Sequence, residues 1–222
     1  MSLPPDHVVP HPTASTGITI VDVANESTLG ATTRLIDEGH APLVLNMANG
    51  ISPGGGFLSG ARAQEEYLCR SSALWATIRE DEMYPTHAIR EDFESSDWMI
   101  ISPDVPVFRD DSGTPLEEPW PAHFITSAAP VAQRVGAERS ALLMERRIDR
   151  LLAVAADLGY RALVLGAWGC GAFGNDPHTT ARAFRTSLEG PYDGVFGRVT
   201  FAITDWSDDR RFLGPFAETF SD

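Results

Sequence analysis

The chain has 222 residues, of which 43% are apolar, and its 31 acidic and 17 basic residues give a formal net charge of −14. This length fits a single domain with its own core, and no apolar stretch is long enough to span a membrane. A surface this acidic repels a nucleic-acid backbone, which argues against a protein that binds a duplex.

The cysteines and histidines do not suggest a metal site. Cys69 and Cys170 are the only cysteines, and the six histidines are scattered, with no His-x-x-x-His pair on a predicted helix. Two thiols without clustered histidines make a poor zinc site, so we expect neither a metal nor a cofactor. The first residues lack the basic and apolar segments of a secretory signal, and the sequence therefore predicts a cytoplasmic protein.

The pattern of apolar residues predicts alternating strands and helices after a loose, proline-rich arm over residues 1–17. In chain order it predicts a strand over 18–23, a helix over 25–39, a buried strand over 41–48 and, after a glycine-rich loop, a helix over 61–78. Strand pieces broken by prolines follow over 98–108, then a turn-rich loop over 109–121 and a strand over 122–130. The pattern ends with the longest helix over 138–160, a strand opening into a second glycine loop over 161–177, a helix over 177–188 and a last strand over 197–205.

Strands that alternate with helices predict an α/β sandwich with a largely parallel sheet, and we expect residues 18–222 to form it as one domain. Each glycine-rich loop follows a strand with the apolar run of a strand buried on both faces. Because ligands of such sheets bind beyond the carboxyl ends of the strands, both loops should face one crevice.

The two loops predict a site for an anion, with two carboxylates beside it. Successive glycines let backbone N–H groups converge on a negative charge, and the helix after each loop adds its positive end. Residues 54–60 and 169–174 together suit a diphosphate, while Glu65 and Glu66 can move a proton or hold a hydroxyl. Neither loop continues as a Walker loop, and "GCGAFG" matches the dinucleotide pattern Gly-x-Gly-x-x-Gly only weakly, because the expected acidic residue does not follow it.

Two stretches, "NMANGISPGGGFLSGARAQEEYLCRSSAL" and "LVLGAWGCGAFGNDP", resemble the bacterial type of poly(ADP-ribose) glycohydrolase, a branch of the macrodomain family. The triple glycine that leads to Gln-Glu-Glu is the signature of that branch, and the likeness runs from about Ile18 to Trp206. The resemblance implies a three-layer α/β/α macrodomain with a mixed, largely parallel sheet, in agreement with the apolar pattern. We expect a monomer that binds ADP-ribose, poly(ADP-ribose) or ADP-ribosylated proteins, and neither duplex nucleic acid nor a membrane.

Carried over position by position, the resemblance implies that Glu66 is the catalytic acid. It also implies that its neighbour Glu65 holds the ribose hydroxyl on the leaving side. The remaining implied site residues all bind substrate. They are Asn49 for the distal ribose, Gly54, Gly55 and Gly56 for the diphosphate and distal ribose, Gln64 of the signature, Glu26 for the adenine amino group, and Gly169, Cys170, Gly171, Ala172, Phe173 and Gly174 for the second phosphate loop. The ring of Phe173 is expected to pack on the terminal ribose.

The glutamate pair suits glycosidic cleavage, which passes through an oxocarbenium-like state and needs a proton on the departing oxygen. A glutamate whose pKa is raised by burial and by a neighbouring carboxylate can supply that proton and then deprotonate the attacking water. We therefore predict metal-independent hydrolysis of the ribose–ribose bonds of poly(ADP-ribose). Two alternatives remain: a hydrolase that removes single ADP-ribose units from proteins, and a non-catalytic ADP-ribose-binding module, against which the intact glutamate pair argues. Cys170 is predicted to be a buried thiol and not a nucleophile.

Overall fold

The computed structural model describes residues 1–12 and 15–221. Its strands, in chain order, are β1 (Ser2–Leu3), β2 (Ile20–Ala24), β3 (Pro42–Ala48), β4 (Met99–Arg109), β5 (Pro115–Ala128), β6 (Ala162–Leu165) and β7 (Arg198–Ala202). Its helices are α1 (Thr28–Asp37), α2 (Gln64–Ser71), α3 (Leu74–Ile78), α4 (Met83–Arg90), α5 (Ala132–Val135), α6 (Ala137–Asp157), α7 (Pro177–Glu189) and α8 (Leu213–Thr219), with a 3₁₀ turn at Phe57–Ser59.

The strands form one sheet in the order β1-β4-β5-β3-β6-β7-β2. β3 runs parallel to both of its neighbours, β5 and β6, and the pairs β6–β7 and β7–β2 are parallel as well. Only the pairs β1–β4 and β4–β5 among the described strands are antiparallel. The predicted mixed, largely parallel sheet is confirmed.

Helices cover both faces of this sheet, as the alternation along its central strands shows. On β3, Leu43 and Leu45 join the core covered by α6, α7 and α8, whereas Val44 joins the core beneath α1 to α4. On β6, Leu163 and Val164 divide in the same way. Successive side chains of a strand point to opposite faces, so these strands are buried on both sides. The result is the predicted three-layer α/β/α arrangement of a macrodomain.

Capping residues set the starts of two helices that frame the site. α1 begins after Ser27, whose Oγ accepts the N–H of Gly30 at 2.9 Å. α7 begins at Pro177, as predicted, behind Asp176, which accepts the N–H of Thr179 at 2.8 Å. Each cap satisfies an N–H group that the helix itself leaves without a partner.

The single helix predicted over 61–78 is wrong, because the chain breaks it into α2 and α3 at Ser72. Ser72 has extended backbone and pairs with Val107 of β4, and the N–H of Ala73 donates to the carbonyl of Pro106 at 2.9 Å. The Oγ of Ser72 also accepts the N–H of Leu74, which begins α3. Contact with a strand distant in sequence therefore overrides the local helical pattern.

The long loop predicted over 109–121 is also wrong, since most of it belongs to β5. A tight turn joins β4 to β5, with the N–H of Gly113 donating to the carbonyl of Asp110 at 3.0 Å. From Pro115 to Pro121 the strand pairs with β4 alone, because β3 joins β5 only from His123 onward. Prolines are tolerated there because one side of the strand has no neighbour that needs an N–H donor.

The predicted loose arm begins as a strand. Ser2 and Leu3 pair with Ile100 and Met99 of β4, and Leu3 is buried in the core. Residues 13 and 14 of the arm, and residue 222 at the end of the predicted domain, lie outside the described residues. None of the helices in the described part of the chain has the length and apolar character needed to cross a membrane.

Candidate active site

A cleft of about 1270 Å³ opens at the carboxyl ends of the central strands. Because β3 and β6 are parallel neighbours, the loops that follow them meet at one edge of the sheet, as predicted. The cleft is lined mainly by residues 27–28, 47–49, 62–67, 70–71, 109–113, 167–169, 171–173, 202–204 and 212.

Glu66 lies in the first turn of α2, where the first glycine loop holds one of its two carboxylate oxygens. The N–H of Gly56 donates to Oε1 at 2.9 Å, and a Cβ on Gly55 would lie only 2.2 Å from the same oxygen. Gly55 also has φ +57°, so both its backbone and its surroundings require glycine. Oε2 is buried and has no hydrogen-bond partner among the described residues. Glu66 therefore offers one fixed oxygen and one uncommitted oxygen at the cleft.

Glu65 is only 3% exposed and ties the end of β3 to the glycine loop. Its Oε2 accepts the N–H of Asn49 at 2.7 Å, and its Oε1 accepts the N–H of Gly54 at 3.1 Å and the Nδ2 of Asn46 at 3.5 Å. Burial raises the pKa of the Glu65 carboxyl to about 8, and these N–H donors offset the shift only in part.

The first glycine loop lies at the predicted edge of the sheet, but its N–H donors are used within the protein. The N–H groups of its three glycines are all used within the protein: Gly54 donates to Glu65, Gly55 to the carbonyl of Ser52 and Gly56 to Glu66. Gly54, Gly55 and Gly56 are also absent from the lining of the cleft that the described residues form. The structure therefore uses this loop to hold the two carboxylates, not to offer donors to a diphosphate.

The second loop has the opposite character. The N–H groups of Gly169, Gly171, Ala172 and Phe173 have no acceptor among the described residues, and all four residues line the cleft. Unpaired N–H groups that are close in sequence and face one cavity form a site for an anion. These free donors, which we call the anion cradle, have the character that the sequence analysis expects of a diphosphate site.

Two residues predicted in the second loop do not line the cleft. Cys170 is buried, its thiol contacts the carbonyl of Trp168, and burial raises its pKa to about 12, so it is not a thiolate nucleophile. Gly174 packs on the side chain of Gln133. The prediction of a buried Cys170 thiol is confirmed.

Asn49 and Gln64 line the cleft but make most of their contacts within the protein. The Oδ1 of Asn49 accepts the N–H groups of Ile51 and Ser52, both at 2.8 Å, which shapes the turn after β3. Gln64 accepts the N–H of Met47 at 3.0 Å and donates to the carbonyl of Leu45 at 2.8 Å. Because β6 pairs with β3 only as far as Val44, Gln64 satisfies backbone groups that have lost their neighbouring strand.

Glu26 does not reach the cleft, contrary to the prediction. Its Oε1 accepts the Nη2 of Arg34 at 2.6 Å, and the same guanidinium contacts Asp22 at 3.1 Å. The carboxylate that was predicted to contact the adenine amino group is therefore paired with Arg34 of α1. The adjacent residues Ser27 and Thr28 line the cleft in its place.

One wall of the cleft is not predicted by the sequence. The turn between β4 and β5, residues 110–114, reaches across to α1 and α2, because Asp111 accepts hydrogen bonds from Ser27 and Tyr67. Tyr67 and Asp111 are 44 residues apart, so no local pattern links them. Arg62, Arg70 and Arg109 complete this wall, and Phe212 lines the cleft after β7.

The fold and this site define a macrodomain-type enzyme with a glutamate pair beside an anion cradle. Residues 4–110 match the family model described as the microbial-type PARG catalytic domain. The curated proteins searched include no match to the chain. The chain belongs to the microbial-type poly(ADP-ribose) glycohydrolase (PARG) family.

Solved structures agree with that assignment. The poly(ADP-ribose) glycohydrolase from Thermomonospora curvata is 43% identical, with a TM-score of 0.89 over 94% of this chain and 79% of that one. The same enzyme bound to the inhibitor ADP-HPD is 44% identical, with a TM-score of 0.87 over 91% of this chain and 79% of that one. The enzyme from Deinococcus radiodurans in complex with ADP-ribose is 40% identical, with a TM-score of 0.88 over 92% of this chain and 85% of that one.

Proposed function

We propose that this chain hydrolyses the ribose–ribose O-glycosidic bonds of poly(ADP-ribose), with Glu66 as the general acid and base. The observation that carries the assignment of Glu66 is its Oε2, a buried oxygen on the cleft with no hydrogen-bond partner among the described residues. A buried polar atom without a partner is costly, and a substrate hydroxyl or glycosidic oxygen would satisfy it.

The cleavage step follows from this geometry. Protonated Glu66 donates its proton to the departing ribose oxygen, and the bond between that oxygen and the anomeric carbon breaks, with the electron pair leaving on the oxygen. Water then adds to the oxocarbenium-like carbon, and its proton returns to the Glu66 carboxylate. Negative charge on the substrate's own diphosphate stabilises the cationic sugar, and no step draws on a metal ion.

The surrounding residues take supporting roles in this proposal. The free N–H groups from Gly169 to Phe173 hold the diphosphate, and the ring of Phe173 packs on the terminal ribose. Glu65 fixes the glycine loop, and its Oε2, which accepts a single hydrogen bond from the protein, keeps a lone pair for a ribose hydroxyl. Asn49 offers its Nδ2 to the distal ribose. We assign no substrate contact to Glu26, since Arg34 occupies its carboxylate.

The domain and its compartment are part of the proposal. We propose that residues 18–222 form the catalytic domain, with Ser2–Leu3 added at the sheet edge. Cys69 and Cys170 are both buried and unpaired, which supports a reducing compartment such as the cytoplasm.

The Glu66→Gln variant tests the catalytic assignment. It keeps the size of the side chain and the hydrogen bond from Gly56 but removes the transferable proton. Turnover of poly(ADP-ribose) should fall by about a hundredfold or more, the usual scale for a general acid, while the ADP-ribose Kd measured by calorimetry stays within about threefold. Glu118→Gln, an exposed site away from the cleft, is the matched control. Turnover of Glu66→Gln like that of the control would refute the role of Glu66.

The same assay separates the alternatives. Faster release of single units from modified protein than of ADP-ribose from polymer would favour the mono-ADP-ribosyl hydrolase. ADP-ribose binding without any turnover would favour the binding module.

A further inference from the structure

Three arginines, Arg62, Arg70 and Arg109, form one continuous wall of the cleft. The Nη1 of Arg70 donates to the carbonyl of Ala61 at 2.6 Å, beside Arg62, and the Nη1 of Arg109 donates to the carbonyl of Arg70 at 3.0 Å. These bonds place the three residues next to each other, and all three line the cleft. We call them the arginine wall.

Among the described residues the arginine wall forms no ion pair, although Asp110 and Asp111 line the same cleft. Arg34, Arg139 and Arg146 each lie within 3.5 Å of a carboxylate oxygen. Among the described residues, no carboxylate pairs with any of the three wall arginines, and Arg62 makes no hydrogen bond or ion pair at all. Three neighbouring arginines without an ion pair are unusual in a chain of net charge −14.

The arginine wall flanks Glu66 and comes from a different part of the chain than the anion cradle. Arg70 follows Glu66 by four residues on α2, so the two share one helix face about one turn, 5.4 Å, apart. The cradle from Gly169 to Phe173 belongs to the loop after β6, whereas the wall is built from α2, the loop before it and the end of β4. The cleft therefore offers two separate sets of donors for an anion, the cradle and the arginine wall, and Glu66 lies on the same helix as Arg70.

The leaving group of poly(ADP-ribose) carries a diphosphate on the same ribose that holds the cleaved bond. Cleavage releases the 2′-oxygen of an adenosine ribose, and the same ribose bears a diphosphate at its 5′ position. Guanidinium groups present paired donors that match phosphate oxygens. A cleft of about 1270 Å³ also exceeds the usual size of a site for one small ligand.

We propose that the arginine wall is a second diphosphate subsite, which binds the unit of poly(ADP-ribose) that leaves. The inference rests on the proposed function and adds to it the residues that contact the leaving unit. A single ADP-ribose unit on a protein side chain has no diphosphate there, so the wall does not assist its removal.

The test compares two substrates in variants of Arg62, which is exposed and makes no contact whose loss would affect folding. The substrates are ADP-ribose oligomers of two or more units and an ADP-ribosyl conjugate with a neutral aryl leaving group. Arg62→Gln should lower kcat/KM on the oligomers by about threefold to tenfold, the range of an exposed charge-assisted contact, and Arg62→Glu should lower it further. Turnover of the aryl conjugate and the ADP-ribose Kd should not change. The loss should shrink as salt rises.

Arg182→Gln serves as the control, since Arg182 is exposed on α7 and lies outside the cleft. Three outcomes would overturn the inference: an equal loss of kcat/KM on both substrates, no loss on the oligomers, or the same loss in Arg182→Gln. The proposed function would still stand, provided that the wild type cleaves the oligomers. If the wild type cleaves neither substrate, the proposed function fails and the subsite fails with it.

Discussion

Replacing Gly55 with alanine should displace the Glu66 carboxylate and so impair catalysis more than binding. The added Cβ would lie 2.2 Å from Oε1 of Glu66 and 3.0 Å from its Cδ, whereas ordinary contact begins near 3.4 Å. The carboxylate must therefore retreat by about 1 Å, and the N–H of Gly56 that fixes it cannot follow without distorting the loop. A misplacement of about 1 Å costs on the order of a hundredfold in rate.

Backbone strain must be separated from this collision, and Gly60 provides the means. Gly60 has φ +91°, and a Cβ there would meet nothing within 4 Å, so Gly60→Ala introduces strain alone. An alanine in the left-handed region costs about 1–2 kcal/mol. In denaturant titrations Gly60→Ala should lose that much unfolding free energy, and Gly55→Ala at least as much. Only Gly55→Ala should lose about a hundredfold in kcat on poly(ADP-ribose), with the ADP-ribose Kd nearly unchanged. If folded Gly55→Ala turned over within about threefold of Gly60→Ala, the position of Glu66 would not depend on this contact.

Two further predictions concern the residues that hold the site together. Burial keeps the pKa of Glu65 at about 8, above the 4.5 of an ordinary glutamate, so the folded state retains a proton that the unfolded state releases, and stability falls as pH rises between these values. This dependence has a slope of at most about 1.4 kcal/mol of unfolding free energy per pH unit. Glu65→Gln should remove it from unfolding free energies measured between about pH 5 and 8. If the slope were unchanged, other groups would be responsible for it. Gln64→Leu leaves the N–H of Met47 and the carbonyl of Leu45 without partners and should lower the unfolding free energy by about 2–5 kcal/mol. Gln133→Leu, at an exposed site, should change it little. Equal effects of the two variants would contradict the role of Gln64 as a backbone partner.

Much of the fold was predictable because its signals are local. The apolar run of β3 and the long periodic stretch of α6 are written in consecutive residues. Pro177 marked the start of α7 and Gly159, at φ +81°, lies just past the end of α6. The position of both loops at one edge also followed, since parallel strands place their carboxyl ends together.

The errors arose where residues distant in sequence meet. The local pattern at Ser72 is helical, but pairing with β4 ends the helix there. The prolines of β5 indicate a loop, because no local pattern shows that one side of that strand has no neighbour. Glu26 was predicted to contact adenine, but its carboxylate pairs with Arg34 of α1. Each outcome depends on a partner that the local pattern does not contain.

Local sequence patterns were enough to predict that this chain alternates strands and helices and that Glu65 and Glu66 follow a glycine loop at the carboxyl edge of the sheet. The role of each loop, in contrast, depends on contacts between distant segments. The donors of the first loop are taken by Glu65 and Glu66, whereas those from Gly169 to Phe173 remain free. Glycine in a sequence shows that a backbone can approach something closely. Whether that neighbour is a carboxylate of the same protein or an anionic ligand is set by the packing of segments far apart in the chain.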